Sequence, residues 1–375
     1  MKMQMVERKI ETQDNTIITI DLKRVVHRFV DNPILTCHDV NRIWDKPEQQ
    51  VITVHNAGIT IFKGRTIMLF RSHLRNGVSI LGIARSDDGL TNWEVDRAPI
   101  LVPCTEYDHF VSDLSIEDHI SNEKGGIEDA RISKIGDEYL ITYSAYHATD
   151  QHRVRVSLAI TKDFVSFHRY GPILERDMRN VVIFPEKVNG YYYGLFRPND
   201  SNDDQLGGIF KQTLIGKTSD FHSNDWDIDP EPIMKQGGIP SFFSDKIGPG
   251  ATPIKTEYGW LNIFHGVRST MDGNPYYLGV AFHDLDDLTQ IKVSNFPILM
   301  PSKADCKVGE EDYVHVPNVV FTCGATRKAN GEIYIYYGGN DTVMNVGISH
   351  EDVLYELCSR FPQYPLTGIA KNRYY

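Results

Sequence analysis

The chain is poor in cysteine, and the five it has form no pattern. Cys37, Cys104, Cys306, Cys323 and Cys358 are scattered, odd in number and never spaced C-x-x-C. That argues against a disulfide framework and a zinc site, and it fits a reducing compartment such as the cytoplasm. Long apolar runs are missing, so no segment reads as a membrane span. The first ten residues are charged and lack an apolar stretch, so they do not read as a secretory signal. Positive charge is in deficit, with 39 Lys and Arg against 50 Asp and Glu and a formal net charge of -11. Nucleic acid and anionic membrane are therefore poor partners. Phosphate-loop and dinucleotide glycine motifs in a strand-to-helix context are absent, as are a G-x-S-x-G elbow and an H-E-x-x-H zinc helix. Asp284, Asp286 and Asp287 crowd one turn, but without an EF-hand frame they read as a solvated turn.

What the chain does have is a repeat. Hairpins built on glycine or acidic turns occur at 59–71, 132–146, 181–197, 252–265 and 319–337. Each is a strand, a tight turn and an aromatic-rich strand with period-2 character. A third strand follows each, at 78–84, 154–160, 208–215, 276–282 and 343–348, and then a polar turn. The spacing of roughly 60–75 residues suits a four-stranded antiparallel blade with long loops. The expected fold class is all-β, a five-bladed β-propeller over 32–350, with an N-terminal extension (1–31) and a partly helical C-terminal tail (351–375). Both extensions lie outside the repeat and are candidates for capping the ring or for assembling a homo-oligomer.

In a blade, the start of strand one and the end of strand two meet at the same rim. Strand-one starts give His55-Asn56, Glu128-Asp129 with Arg131, Arg179-Asn180, Lys246 and Asn318. Strand-two ends give Arg71, Tyr146-His147, Arg197, His265 and Asn340-Asp341. Singly, each has a bland explanation: a solvated cap, a rim histidine, an ion-pair knot, or turn chemistry for Asn56 beside Gly58. Their equivalence across the repeat makes them one constellation. Arg71, Arg179, Arg197, Lys246 and His265 point to an anion site in an otherwise acidic protein. Asp129 and Asp341, with Glu128 adjacent, stand opposite as carboxyls. Asp129 is the candidate general acid, provided burial keeps its pKa up against the cations. Tyr143, Tyr146, Tyr276 and Tyr277 suit either a stacking platform for a sugar ring or packing between blades, and of them Tyr276, opening a third strand near the rim, is the candidate for the site.

Six motifs, in order, resemble glycoside hydrolase family 130, the β-mannoside phosphorylases and related β-mannosidases. They are IEDARI (127–132), VVIFPEK (181–187), KIGPGATP (246–253), WLNIFHGV (260–267), YYLGVAFHDL (276–285) and YYGGNDT (336–342). The resemblance runs from about residue 32 to 349. It implies a five-bladed propeller with Asp129 as proton donor. It also implies a phosphate site of Arg179, Arg197, Lys246, His265 and Tyr276, and a mannosyl site of Asn56, Arg71 and Asp341, beside which Glu128 is grouped. Ala130 stands where many members have proline, a change in backbone stiffness. The implied reaction is inverting phosphorolysis of a terminal β-mannosidic bond to α-mannose 1-phosphate, the proton reaching the leaving oxygen through a mannose hydroxyl. Inorganic phosphate is then the co-substrate, and neither metal nor organic cofactor is implied.

Three other readings remain open on the residues: a β-mannosidase using water, a non-catalytic glycan-binding propeller, and a furanosidase, which the cations fit poorly. The leaving sugar and the choice between β-1,2 and β-1,4 linkage rest on polar loops at 106–124, 199–207, 268–275 and 304–313. The first of these carries Asp108, Asp113, Glu117, Asp118 and Glu123 and reads as a solvated lid.

Overall fold

The computed structural model describes residues 6–12, 15–150, 153–199, 211–223, 225–238, 241–271 and 273–371. Five antiparallel sheets follow one another around a ring as the blades of a β-propeller. The first blade is His55–Phe62, Arg65–His73, Ser79–Ser86 and Glu94–Val95. The second is Gly126–Ile135, Glu138–Tyr146, Val154–Thr161 and His168–Pro172. Met178–Ile183, Tyr192–Pro198, Leu214–Thr218 and Asp227–Ile228 make the third. The fourth is built on Lys246–Pro249, Gly259–Val267, Tyr276–His283 and Ile291–Ser294. Val320–Arg327, Glu332–Gly339 and Val343–His350 begin the fifth. The expected third strand at 208–215 begins outside the described residues; within them the strand is Leu214–Thr218.

Inner strands carry apolar side chains on both faces because each blade is covered by two neighbours. Arg65–His73 is buried at every position but its first. Ile67, Leu69, Leu81 and Ile83 of the first blade meet Ile127, Ile132 and Ile141 of the second in one cluster. Leu140, Val156 and Leu158 meet Val181, Ile183 and Phe196 across the next gap.

The ring closes in a way the repeat did not announce. The fourth strand of the fifth blade is His27–Arg28, paired antiparallel with Val343–His350. The segment before Asn32, expected to lie outside the repeat, thus completes it in part. A two-residue strand has no periodicity to read. Ahead of it, Glu7–Glu11 and Ile17–Asp21 form a separate hairpin. The tail forms an α-helix over Glu351–Arg360, and Pro362–Gln363 then joins the outer edge of the fourth blade.

The acidic loop at 106–124 is not a freely solvated lid. It holds an α-helix, Ile116–Glu123, and a short strand, His109–Phe110, on the outer edge of the second blade. Glu123 is buried, accepting from Arg169 at 2.7 Å and from the Tyr143 hydroxyl at 2.6 Å. Asp108 takes the Arg169 Nε at 2.8 Å. The 284–287 turn, read from the sequence as a solvated turn, is an Asx turn with Asp284 accepting from the amides of Asp286 and Asp287.

Candidate active site at the channel mouth

One local device recurs in the first three blades. In strand one, Asn56-Ala57, Asp129-Ala130 and Asn180-Val181 each set two residues against one on strand two. The leading residue of each bulge is left-handed, with φ of 47° at Asn56, 53° at Asp129 and 56° at Asn180. Only Gly, Asn and Asp adopt that conformation at small cost. The bulge turns the polar side chain toward the channel. Arg131 braces the second bulge: buried, it donates to the Asp129 carbonyl (2.8 Å), to Asn180 Oδ1 (3.0 Å) and to the Gly250 carbonyl (2.9 Å), tying three blades together.

A cavity of about 200 Å³ opens at this mouth, and it gathers most of the constellation read from the sequence. Asn56, Arg71, Asp129, Arg179, Arg197, Lys246, His265, Tyr276 and Asp341 all line it. Glu128 does not. It lies behind Arg71, accepting from the guanidinium at 2.6 Å and from the Ser79 hydroxyl at 2.7 Å, and so acts on the cavity through Arg71. Asn180, Asn199, Val319 and Phe321 complete the lining. Asn180 and its equivalents were visible as strand-start residues. Nothing polar marks Phe321, which supplies a ring 4.8 Å from that of His265. A larger cleft of about 740 Å³, between residues 37–42 and 311–313, has none of these groups in its lining, so volume alone does not mark the chemistry.

The two ends of the small cavity differ in charge. At one end Arg179 and Arg197 sit directly opposite each other on paired strands of the third blade. Like charges in that register destabilise a sheet unless an anion is shared between them. The Arg179 guanidinium lies over the Tyr146 ring at 5.0 Å, and Lys246 Nζ lies 5.9 Å from the Tyr276 ring centre. His265 stacks on Tyr276 at 6.1 Å. Burial, then Arg197, Arg131 and Lys246, hold the His265 imidazole well below the usual histidine range. It therefore offers an anion a neutral N–H where the sequence suggested a cation. Gly248 makes room here: a Cβ on it would lie 2.5 Å from Arg197 Cδ and 2.8 Å from His265 Cε1.

At the other end are the carboxyls. Asp129 accepts from Asn56 Nδ2 and from Arg71, both at 3.1 Å. Burial would raise its pKa, but Arg71 and Arg131, with the bond from Asn56, outweigh it and hold the carboxyl below its ordinary value. Burial alone thus does not keep its pKa up, which was the condition attached to a general acid. Asp341 behaves oppositely. Burial, with Asp129 and Glu128 nearby, lifts it to about 6 despite Arg71 and the 3.4 Å contact from Asn56. A carboxylate and a carboxyl that holds its proton to near neutrality thus share one amide. Of the other tyrosines, Tyr143 is buried on Glu123 and Tyr277 packs on Phe242.

The family model described as beta-1,4-mannooligosaccharide phosphorylase, glycoside hydrolase family 130, matches residues 26–360. The chain belongs to that family. It is 31% identical over 330 residues to the 1,2-beta-oligomannan phosphorylase of Thermoanaerobacter sp. (strain X514), covering 86% of this chain and 96% of that one. It is 34% identical over 268 residues to the beta-1,2-mannobiose phosphorylase of Listeria innocua, covering 71% of this chain and 65% of the relative. The solved structure of a Listeria innocua beta-1,2-mannobiose phosphorylase in complex with beta-1,2-mannobiose superposes with a TM-score of 0.70 at 28% identity, over 88% of this family 130 chain and 99% of the other. Relatives named for β-1,2 and for β-1,4 linkages both match, so family membership leaves the linkage of this member unassigned.

Proposed function

We propose that this family 130 enzyme is an inverting β-mannoside phosphorylase, releasing α-mannose 1-phosphate and a shortened saccharide. One observation carries the reading: the facing Arg179–Arg197 pair, with Lys246 and His265, lines the same small cavity as Asp129 and Asp341. Phosphate seated among these groups is itself the nucleophile, so no second carboxylate base is needed. The cradle aligns its oxygen with the anomeric carbon, whose transition state is oxocarbenium-like. The new bond is phosphate oxygen to anomeric carbon; the bond that breaks is anomeric carbon to glycosidic oxygen; the leaving oxygen takes a proton.

Asp129 is assigned as the source of that proton, relayed through a mannose hydroxyl, with Asn56, Arg71 and Asp341 holding the mannosyl ring. Phosphate bears on the protonation of the Asp129 carboxyl. Its negative charge opposes the pull of the surrounding guanidinium groups, Arg71 and Arg131 foremost, that keeps Asp129 ionised, and so raises the pKa of that carboxyl. Asp341, protonated to about pH 6, is a hydrogen-bond donor to a sugar oxygen in that range.

The test is product analysis on β-1,2-mannobiose, β-1,4-mannobiose and β-mannosyl-glucose, with and without inorganic phosphate. Mannose 1-phosphate that forms only with phosphate, initially as the α anomer, is the expected result. Free mannose released at the same rate without phosphate, with no sugar phosphate formed, refutes it.

A further inference from the structure

His73 follows Arg71 by two residues on strand Arg65–His73, so both side chains project from the same face. The Arg71 guanidinium approaches His73 Nε2 at 3.0 Å. A guanidinium has only donors and does not lose its proton in a protein. The facing nitrogen must therefore accept, and the ring proton must sit on Nδ1. That atom lies 2.9 Å from Thr53 Oγ1, which also accepts the His73 main-chain N–H at 3.1 Å. Thr53 and Arg71 between them allow one neutral tautomer.

The surroundings favour the same state. The His315 ring lies 4.6 Å away and the His55 ring 5.5 Å away. The Glu128 carboxylate, 4.0 Å from Nε2, pulls the other way, but its near oxygen already accepts from Arg71 at 2.6 Å. Burial, then Arg71 and His315, push the His73 imidazole down to about 3, against a smaller opposing pull from Asp129. Arg71 has a choice of carboxylates. It holds Glu128 through one terminal nitrogen at 2.6 Å and Asp129 through the other at 3.1 Å. The nitrogen on Glu128 is the one that also meets His73. Without an acceptor there, the guanidinium is free to turn into a two-pronged pair with Glu128 and to leave Asp129.

We propose that His73, as the Nδ1–H tautomer set by Thr53, is a positioning residue that fixes the plane of Arg71 and so keeps Arg71 divided between Glu128 and the acid Asp129. The proposal rests on Asp129 being the acid of the phosphorolytic reaction. It assigns His73 no contact with substrate.

Two variants separate acceptor chemistry from shape. In His73→Gln the side-chain oxygen can still accept from Arg71; in His73→Phe the ring remains and the acceptor is gone. Expected are a kcat for phosphorolysis within about threefold of wild type for Gln and a loss of about 10- to 100-fold for Phe. KM for phosphate should be unchanged in both, because the cradle stands on the third and fourth blades. A Phe variant with wild-type kcat, or equal losses in both at unchanged melting temperature, overturns the proposal. Histidine ¹⁵N NMR of the wild-type protein tests it without turnover. The His73 signals, assigned by their loss in either variant, should show an unprotonated Nε2 from pH 5 to 8, and a protonated Nε2 in that range overturns it. Wild-type enzyme that makes no mannose 1-phosphate would refute the functional reading instead, and the NMR result would still decide the tautomer.

Discussion

Asn56 and Asp129 occupy the same place in consecutive blades, both left-handed at the head of a bulge, and the amide of one donates to the carboxylate of the other at 3.1 Å. The proposed acid is thus delivered by backbone geometry repeated around the ring, and one repeat unit serves as hydrogen-bond partner to the next. Such a position accepts Asn almost as readily as Asp. Asp129→Asn should therefore melt as wild type does while losing about 10²- to 10⁴-fold in kcat. Asp129→Ala should lose activity and also melt lower, since a left-handed alanine costs roughly 1 kcal/mol or more. Thermal melts alongside mannose 1-phosphate release check both. A propeller that only binds glycans would keep its affinity in the Asn variant and have no rate to lose.

Gly248 tests the anion cradle without removing a charge. A methyl group there must displace Arg197 or the His265 ring, because both stand inside normal contact distance of a Cβ. Gly248→Ala should lower kcat/KM for phosphate by about tenfold or more, a small displacement of an aligned nucleophile being enough for that. Affinity for the mannoside, held at the opposite end of the cavity, should change little. Initial rates with phosphate varied at fixed mannoside, and then the reverse, distinguish the two. Equal effects on both substrates would argue against a separate cradle.

The propeller was legible because each blade writes its own hairpin and its own strand-end charge. The mouth was legible because polar residues at apolar strand ends converge once the repeat is laid out. What could not be read was set by contacts between blades. His27–Arg28 closes the fifth blade with two residues and no pattern. Glu128 sits next to Asp129 in sequence, yet the bulge sends it behind Arg71. His265 is the residue type of a cation, but its neutrality comes from burial beside Arg197 and Arg131, which no local sequence encodes. Asn56 beside Gly58 admitted ordinary turn chemistry; only the register of three bulges shows what it does.

Stability should fall as the solution is acidified from pH 7 to pH 5. Burial holds the imidazoles of His55 and His265 well below the ordinary histidine value, with cationic neighbours adding to the effect. His73 is pushed down to about 3 and His283 to about 4, in each case by burial first. The unfolded chain takes up these protons near pH 6.5 and the native state does not, so their stabilising contribution is complete above that pH and lost progressively below it. Asp341 works the other way. Its native pKa of about 6 lies above the unfolded value, so it adds stability as the pH falls toward 4. Glu123, raised by burial, works in the same direction as Asp341; the four imidazoles outweigh these two carboxyls, and the melting temperature should be lower at pH 5 than at pH 7. Asp341→Asn should steepen that drop. A melting temperature that is flat or rising on acidification would contradict this assignment of protonation states.

Ring closure gives the last prediction. Asp305 has a fully buried side chain that accepts from Arg28 Nε at 2.6 Å, from a second Arg28 nitrogen at 2.9 Å and from the Tyr337 hydroxyl at 2.7 Å. Arg28, on the short strand that closes the ring, is thus the cation for a carboxylate on the Lys303–Asp305 turn, which packs against the fifth blade. Arg28→Ala leaves that charge buried and unpaired, which costs on the order of 3 kcal/mol. The damage bears on the mouth, because the Asp305 carbonyl packs against Gly339 so closely that a Cβ there would lie 1.7 Å from it, and Asn340 and Asp341 follow directly. The variant should melt well below wild type and show a raised KM for the mannoside. Adding Asp305→Asn removes the stranded charge, so the double variant should recover part of the melting temperature lost by Arg28→Ala alone. A single variant as stable as wild type, or a double variant less stable than the single, would show that ring closure does not depend on this pair.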